Sequence, residues 1–335
     1  MAVESANAQD PAAPPRRLDL ALLERRPAGR DYVRLVLDAP PDWHSLPGQF
    51  INVLCESDPA AARASEGRTL DDADPADWPC TTGLELGRRW PFVRRPLSIS
   101  RVLTGGGRVR LELLVRTVGA GTRFLATRPV GATVDVVGPL GNWFTPPADD
   151  RLCVLVGGGC GLAPLFGLAE YLTGLGKRCL CLLGAKSAGE LPVRFREPPP
   201  RTGNNVEKGS LVVEFAELGI ETIIATDDGS AGFHGTVGAA LDPCYRSYLK
   251  DVPVAFYVCG PKPMMRGLSH VAEAQDMPCQ VSLEGFMGCG IGVCLSCAVP
   301  HRTDQRGTVA GQEDWTYLLT CRDGPVVDGR RILWE

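Results

Sequence analysis

The sequence RLCVLVGGGCGLAP, residues 151–164, decides the fold class of this chain. Its first half, Arg151–Val156, is a short apolar run, typical of a strand buried on both faces of a parallel sheet. The glycines that follow predict a turn into a helix that ends near Leu175, and such a helix N-terminus attracts a dinucleotide pyrophosphate. A tight turn without a ligand is the alternative, because the string is not the full G-x-G-x-x-G pattern. The candidate nucleotide-binding glycines are Gly157, Gly158, Gly159 and Gly161.

Beyond this turn, short apolar runs alternate with helical segments, which indicates an open parallel α/β sheet. The next predicted strands are Arg178–Leu183, Glu221–Ala225 and Val254–Cys259. Ligands of such sheets bind beyond the carboxyl ends of the strands. Cys259 ends the last of these strands, so we expect it to face a nicotinamide as a candidate catalytic residue. A buried thiol that only packs is the alternative.

Upstream of residue 149, short strands and glycine-rich turns predict an all-β barrel. From Asp31 the chain alternates, with Val33, Leu35 and Leu37 on one face. The other predicted barrel strands lie within Pro47–Cys55, Pro96–Val102, Val109–Arg116 and Thr133–Val137.

The chain of 335 residues is long enough for two or three domains. We expect a disordered tail over residues 1–16 and a barrel over 17–148, interrupted by a polar insertion at 56–90. An α/β nucleotide-binding domain is expected over 149–278, followed by a cysteine-rich segment over 279–335. That last segment is too short for an apolar core of its own, so we expect a metal centre to hold it together.

The composition excludes several classes of protein. Lys and Arg number 35 against 39 Asp and Glu, a net charge of −4, so we expect no broad basic surface and no nucleic acid partner. The N-terminus lacks the apolar core of a signal peptide, which predicts a cytoplasmic protein with reduced thiols. The uncharged stretch Leu152–Ala169 contains five glycines and Pro164, so we do not expect it to span a membrane.

The C-terminal segment carries Cys289-Gly-Ile-Gly-Val-Cys294-Leu-Ser-Cys297, followed by Cys321. The C-x4-C-x2-C spacing is that of plant-type [2Fe–2S] sites, which predicts these four thiolates as metal ligands. Glycines in such a loop let the backbone approach the inorganic sulfides closely. A tetrahedral zinc site is the alternative, although zinc usually takes two short cysteine pairs and Cys321 stands alone. The glycines of this loop are Gly288, Gly290 and Gly292.

A further set of residues predicts a flavin site in the barrel. An arginine before a rigid proline, as in the stretch RRPLSIS at 94–100, can hold a pyrophosphate through charge-assisted hydrogen bonds. Ser98 can present its hydroxyl to a flavin ring, and Gly121 and Thr122 can offer an amide and a hydroxyl to a phosphate. Taken with the glycine turn and the cysteine loop, this set predicts FAD. The candidate FAD-binding residues are Arg95, Pro96, Leu97, Ser98, Leu114, Val115, Arg116, Gly121 and Thr122.

In this order, the motifs resemble the ferredoxin-reductase superfamily and, more narrowly, the electron-transfer subunits of type B dihydroorotate dehydrogenase, over about residues 17–335. The turn GPLGN at 138–142 and the segment TDDGS at 226–230 are similar to motifs of that family. The segments 282–289 and 321–325 match its cluster-binding region. The resemblance also places Asp228 in the nucleotide site.

The resemblance implies three carriers: FAD in the barrel, NAD at the glycine turn and a [2Fe–2S] cluster on the four cysteines. NAD exchanges a hydride and the cluster a single electron, so the flavin, which can do both, lies between them. It also implies a heteromeric complex in which an FMN-containing catalytic subunit oxidises dihydroorotate in pyrimidine biosynthesis and this chain passes the electrons to NAD+. Lys186 and Lys208 leave NADP open as the nucleotide.

Departures from the family pattern leave other functions open. Leu97 and Val115 stand where many relatives have an aromatic residue, and 23 residues separate Cys297 from Cys321. These departures favour a reductase subunit that serves a ferredoxin, sulfide or hydrogenase complex. A zinc-stabilised scaffold without catalysis is the alternative of another class.

Overall fold

The computed structural model describes residues 14–55, 94–303 and 315–334. Residues 1–13 of the expected tail and the whole expected insertion at 56–90 lie outside the described residues. The described chain forms a closed β-barrel, a mixed sheet with helices and a two-stranded hairpin. This architecture confirms the predicted combination of a barrel with an α/β sheet.

Six antiparallel strands form the barrel. They are β1 (Arg16–Pro27), β2 (Tyr32–Ala39), β3 (Phe50–Val53), β4 (Arg95–Gly105), β5 (Arg108–Arg116) and β6 (Thr133–Leu140). Their order around the barrel is β1-β2-β5-β4-β3-β6, and β6 closes on β1. Val33, Leu35 and Leu37 of β2 pack in the barrel core, as the alternation predicts.

Two elements of the barrel were not predicted. In β1, Leu20 and Leu22 enter the barrel core, but Arg25–Pro27 are exposed, so only a short apolar alternation marks the strand. Helix α1 (Ala120–Thr127) connects β5 to β6. The side chain of Thr122 accepts a hydrogen bond from the Gly119 amide at 3.0 Å, so the predicted phosphate-binding pair lies in the first turn of a helix.

The second part of the chain alternates strands and helices. Its first strands are β7 (Leu152–Gly158), β8 (Cys179–Ala185), β9 (Arg201–Gly203), β10 (Lys208–Gly209), β11 (Glu221–Thr226), β12 (Gly232–His234), β13 (Val254–Cys259) and β14 (Cys279–Ser282). Its helices are α2 (Leu162–Gly174), α3 (Val213–Ala216), α4 (Val237–Cys244) and α5 (Lys262–Ala274). Three strands follow in the cysteine-rich segment: β15 (Ala298–Arg302), β16 (Trp315–Leu319) and β17 (Val326–Asp328).

The sheet runs in the order β17-β14-β13-β7-β8-β11-β12-β9, with β10 paired to β11. Neighbours along this path are parallel except β14 and β17. In the register of β7 and β13, Gly157 lies opposite Cys259. The parallel sheet therefore brings the glycine turn and Cys259, which are far apart in sequence, to one edge.

A buried ion-pair network joins the barrel to the sheet. Arg34 of β2 donates to Glu112 at 2.8 Å and to Glu214 of α3 at 2.9 Å. Its guanidinium also lies 4.8 Å from the ring centroid of Phe166 in α2. The carboxylate side chains of Glu112 and Glu214 are only 8% and 1% exposed, so their charges need partners, which Arg34 supplies to both and Arg194 also supplies to Glu214.

The cysteine-rich segment packs on both parts. Strands β15 and β16 form a hairpin, and β17 joins the sheet beside β14. At the barrel, the amide of Asn142 donates to the carbonyl of Gly324 at 2.7 Å. Among the helices of the described ranges, none is both long and apolar enough to cross a bilayer.

Candidate redox site

A cavity of about 370 Å³ opens between barrel strands β4 and β5 and the carboxyl ends of β13 and β14. Phe50, Cys160 and Met287 are among its other lining residues. The barrel and the sheet therefore converge on one cavity that contains most of the predicted flavin site. The predicted residues that line it are Pro96, Leu97, Ser98, Leu114, Arg116, Thr122 and Cys259. We call this space the flavin cavity.

The remaining predicted FAD residues lie near the cavity in different ways. A Cβ on Gly121 would lie 3.2 Å from Nε of Arg95, so the two predicted residues lie side by side and a side chain at 121 would require Arg95 to shift. Val115 is fully buried and packs in the barrel core. The strand period of two places its side chain on the opposite face of β5 from Leu114 and Arg116.

A second cavity, of about 430 Å³, lies beside the glycine turn. Two of the glycines predicted to bind a nucleotide, Gly158 and Gly159, line it together with Lys186 and Asp227. We call this space the nucleotide cavity. Asp227 was missed, although it belongs to the TDDGS segment singled out in the sequence.

The other predicted nucleotide residues do not line this cavity. A side chain at Gly157 would collide with Leu162, and one at Gly161 would collide with the Cys259 carbonyl, so both glycines permit close packing. Asp228 accepts a hydrogen bond from the Ser230 amide at 2.9 Å, and hydrogen bonding to Ser230 lowers its pKa. Its carboxylate therefore shapes the turn.

Arg116 lines both cavities. Its guanidinium lies 5.7 Å from the ring centroid of Tyr32, which is its partner in the register of β2 and β5. Nη2 of Arg116 also lies 3.9 Å from Oε2 of Glu190. The two cavities therefore share a wall, which would bring the ring systems of two bound cofactors close together.

Cys259 and Glu284 lie together in the flavin cavity, with the thiol sulfur 4.0 Å from Oε1. Burial raises the pKa of Cys259, which keeps its thiol neutral. The side chain of Glu284 is exposed to the cavity, and protein surrounds it closely. Loss of hydration there raises the pKa of its carboxyl, and the nearby Arg116 guanidinium opposes this shift. Burial also raises the pKa of Cys160 to about 11. Glu284 was not predicted, although it stands in the quoted segment 282–289.

The four predicted metal ligands form two pairs. The sulfurs of Cys297 and Cys321 lie 3.3 Å apart. The amide of Cys289 donates to the sulfur of Cys294 at 3.3 Å, and the amide of Cys294 donates back to the sulfur of Cys289 at 3.4 Å. The loop and the turn after β16 therefore bring together all four predicted cysteines.

Backbone amides surround these sulfurs. Gly292 donates to the sulfur of Cys321 at 3.1 Å and Val293 to that of Cys289 at 3.3 Å. Ser296 lowers the pKa of Cys294 to about 6 by hydrogen bonding to the sulfur. Gly292 has a φ of 82°, a left-handed conformation that favours glycine. The loop thus lowers the pKa of Cys289 and Cys294 and favours their thiolates, the form in which cysteine binds metal, whereas burial raises the pKa of Cys321 to about 12.

The paired arrangement of the cysteines bears on which metal centre they could hold. Among the residues that the structure describes, no three His, Cys, Asp or Glu side chains are placed to hold one metal ion. A single tetrahedral zinc would need four converging ligands. Four cysteines held as two pairs, with backbone amides donating to their sulfurs, could hold a [2Fe–2S] cluster, which takes four cysteine thiolates.

A small buried cluster connects these ligands to the flavin cavity. Phe50 and Met287 line the cavity and also pack in one cluster with Cys297 and Cys321. Leu140 and Leu319 complete this packing. The flavin cavity and the second cysteine pair therefore border the same buried cluster.

Comparisons with known proteins agree with this geometry. A family model described as the iron-sulfur cluster binding domain of dihydroorotate dehydrogenase B matches residues 284–333. The electron transfer subunit of dihydroorotate dehydrogenase B (NAD(+)) from Desulforamulus reducens is 32% identical over 293 residues, covering 87% of this chain and 88% of the relative. Its counterpart from Geobacillus kaustophilus is 40% identical over 240 residues, covering 70% and 78%.

The chain belongs to the family of dihydroorotate dehydrogenase B electron transfer subunits. This membership confirms the resemblance drawn from the sequence motifs. The match over 284–333 also confirms the prediction of an iron–sulfur segment near the C-terminus.

Solved structures share the fold of this chain. An NADH-dependent reduced ferredoxin-NADP oxidoreductase aligns with a TM-score of 0.64 at 25% identity, covering 94% of this chain and 90% of that chain. An Amycolatopsis cytochrome P450 reductase aligns with a TM-score of 0.52 at 22% identity, covering 79% and 69%. The second likeness concerns the fold alone.

Proposed function

We propose that this chain carries electrons between an FMN-containing dihydroorotate dehydrogenase subunit and NAD+, through a [2Fe–2S] cluster and FAD, in pyrimidine biosynthesis. One observation carries the proposal: three adjoining sites form an uninterrupted series. Arg116 joins the nucleotide cavity to the flavin cavity, and Phe50 and Met287 join the flavin cavity to the cysteine pairs. When bound, FAD supplies the exchange between hydride transfer and single-electron transfer.

In this proposal the barrel residues bind and orient the flavin. Arg95, lying against Gly121, binds a phosphate, and the helix that begins at Ala120 directs its first amides toward the same group. Ser98 presents its hydroxyl to the ring. Val115 acts through the barrel core, where it fixes the strand that carries Leu114 and Arg116.

At the nucleotide cavity, Gly158 and Gly159 leave the backbone open to a pyrophosphate. Asp227 accepts a hydrogen bond from a ribose hydroxyl, which favours NAD over NADP because a carboxylate repels a 2′-phosphate. Asp228, Gly157 and Gly161 support the site by shaping its turns. Cys259 keeps a neutral, compact side chain where the nicotinamide would meet the flavin.

The partner subunit docks, in this proposal, on the apolar surface around the cysteine loop. Four large apolar side chains there are 57–75% exposed, and an exposed patch of this kind marks an interaction site. They belong to the same loop as the metal ligands, so docking would bring the partner's cofactor next to the cluster. These side chains are Phe286, Ile291, Val293 and Leu295.

We further propose the division of the chain into a barrel at 17–148, a nucleotide-binding part at 149–278 and a cluster segment at 279–335, and a cytoplasmic location. The boundary at 279 leaves β14 formally in the cluster segment, although it pairs with β13. The sheet is therefore shared between the two parts.

A second candidate is a reductase subunit that exchanges electrons with a ferredoxin. The NADH-dependent reduced ferredoxin-NADP oxidoreductase covers 94% of this chain, which favours this function. The zinc-stabilised scaffold is not proposed, because the family model of an iron-sulfur cluster binding domain matches residues 284–333, which contain all four cysteines.

The test is co-expression of the full chain with an FMN-containing dihydroorotate dehydrogenase subunit from the same genome. We expect a complex that contains FAD, iron and sulfide and that reduces NAD+ in the presence of dihydroorotate. A complex that contains all three cofactors but reduces only ferredoxin would replace the first candidate by the second. A colourless protein containing zinc would overturn both.

A further inference from the structure

Asn52 lies between the flavin motif and the first metal ligand. It is on β3, where its register partner on β4 is Pro96 of the flavin motif. Its backbone carbonyl accepts a hydrogen bond from Arg94 at 3.4 Å, and Arg94 is held by Asp135 at 2.7 Å. The backbone of Asn52 is therefore fixed to the strand that presents the flavin-binding residues.

The side chain of Asn52 reaches the cysteine loop. Its Nδ2 donates to the carbonyl of Cys289 at 3.1 Å, across 237 positions of sequence. Gly290 lies directly on this amide, with a φ of 74°, and a Cβ there would overlap the Asn52 side chain. The loop can therefore approach β3 this closely only with glycine at 290.

The other end of the same amide has no partner. Asn52 is 1% exposed, and its Oδ1 is a buried acceptor without a hydrogen bond among the described residues. Such groups are uncommon because they cost free energy, and each one calls for a physical explanation. Here the amide dipole lies between the flavin strand and the loop that carries Cys289 and Cys294.

We propose that Asn52 is a positioning residue that sets the placement of Cys289 relative to the flavin and, through its amide dipole, the reduction potential of the metal centre. Groups that hydrogen-bond to ligands or lie beside a cluster control both its geometry and its potential. This inference rests on the proposed function, because it assumes that FAD and the cluster bind at the sites described above.

The test compares Asn52→Leu with the wild-type chain in complex with its catalytic subunit. We expect FAD content and the rate of flavin reduction by NADH to stay unchanged, because Asn52 does not line the flavin cavity. We expect the electron paramagnetic resonance spectrum and midpoint potential of the cluster to shift, and electron transfer from flavin to cluster to slow about tenfold.

The matched control is Thr222→Val. Thr222 is also 1% exposed, and its hydroxyl donates to the backbone carbonyl of Gly209 at 3.0 Å. It lies in β11 of the mixed sheet, away from the cysteine loop. Its substitution should leave the cluster spectrum and potential unchanged. If Asn52→Leu does not fold, Asn52→Ala removes the amide without adding charge or bulk and provides the comparison.

An Asn52 variant with a wild-type cluster spectrum, potential and transfer rate would overturn the inference. A wild-type complex that lacks the cluster or does not couple dihydroorotate to NAD+ would instead overturn the proposed function. The two failures are therefore distinguishable, because the first is measured on a wild-type complex that works.

Discussion

Asn142 and Val326 exchange two hydrogen bonds. Nδ2 of Asn142 donates to the carbonyl of Val326 at 2.7 Å, and the amide of Val326 donates to Oδ1 of Asn142 at 2.8 Å. Nδ2 also donates to the carbonyl of Asp323 at 3.0 Å. One side chain at the end of the barrel thus mimics a β-strand edge and holds the chain that follows Cys321.

Replacing Asn142 by leucine should therefore loosen the cluster segment. The amide and carbonyl of Val326, a buried residue, would lose their partners, and we expect the free energy of unfolding to fall by about 2 kcal/mol. Chemical denaturation followed by circular dichroism measures this change. Asn204→Leu, at an exposed position, is the control and should have little effect. Equal stability of the Asn142 variant and wild type would show that this exchange is not stabilising.

Cys294→Ser should remove the visible absorbance of the iron–sulfur centre while FAD remains bound. None of the four predicted metal ligands lines the flavin cavity, so its walls do not depend on Cys294. Iron and flavin assays on the purified protein measure the two contents. Cys244→Ala, which removes a buried thiol of α4, should retain both cofactors. Full iron content in the Cys294 variant would contradict the ligand assignment.

Asp227 should determine the choice of nucleotide. Its carboxylate lines the nucleotide cavity, so Asp227→Ser should raise the ratio of NADPH to NADH activity about tenfold, equivalent to ~1.4 kcal/mol. Flavin reduction by each nucleotide, measured by stopped flow, gives the ratio. Asp228→Ser tests the neighbouring carboxylate, which shapes the same turn but does not line the cavity, so we expect the smaller change in the nucleotide ratio. A larger change in the Asp228 variant would transfer the role to the neighbouring carboxylate.

Glu284 should make stability depend on pH. Burial raises its pKa in the folded state, so its neutral form is favoured there. The stability that Glu284 contributes is fully present below the ordinary glutamate pKa and is lost as the pH rises through the raised pKa of the folded state. Arg116, Cys160 and Cys259 face this group.

The corresponding variant is Glu284→Gln, which stays neutral at every pH. Its melting temperature relative to wild type should therefore become more favourable as the pH rises through that window. Thermal melts at several pH values between acid and neutral measure the difference. A constant difference between the two proteins would show that the carboxyl does not titrate as expected.

Arg34→Met should destabilise the junction between the barrel and the sheet. Glu112 and Glu214 would be left as buried carboxylates without Arg34, a change that typically costs about 3–5 kcal/mol. Arg26→Met, which removes an exposed pair with Glu24, should cost under about 1 kcal/mol. Similar unfolding free energies for both variants would contradict the importance of the buried network.

Local patterns explain what the sequence predicted well. Three of the four predicted metal ligands lie within nine residues of sequence, so their spacing can be recognised without the fold. The alternation of apolar residues in β2 likewise identifies the side chains that pack in the barrel core. The period of two in β5 separates Val115 from Leu114 and Arg116, a distinction that motif resemblance alone does not make.

Other features depend on contacts distant in sequence. Glu284 reaches the flavin cavity only because β14 pairs in parallel with β13. The hydrogen bond from Asn52 to Cys289 spans 237 positions. Which of Asp227 and Asp228 faces the nucleotide cavity depends on the turn at Gly229, whose φ is 66°.

The antiparallel pairing of β17 with β14 protects one edge of the sheet from aggregation. Without β17, the main-chain groups of Cys279–Ser282 would form an open sheet border able to recruit strands from other molecules. Two hydrogen bonds between Asn142 and Val326 hold the strand that covers this border. A chain truncated before β17 would therefore be not merely incomplete but prone to aggregate.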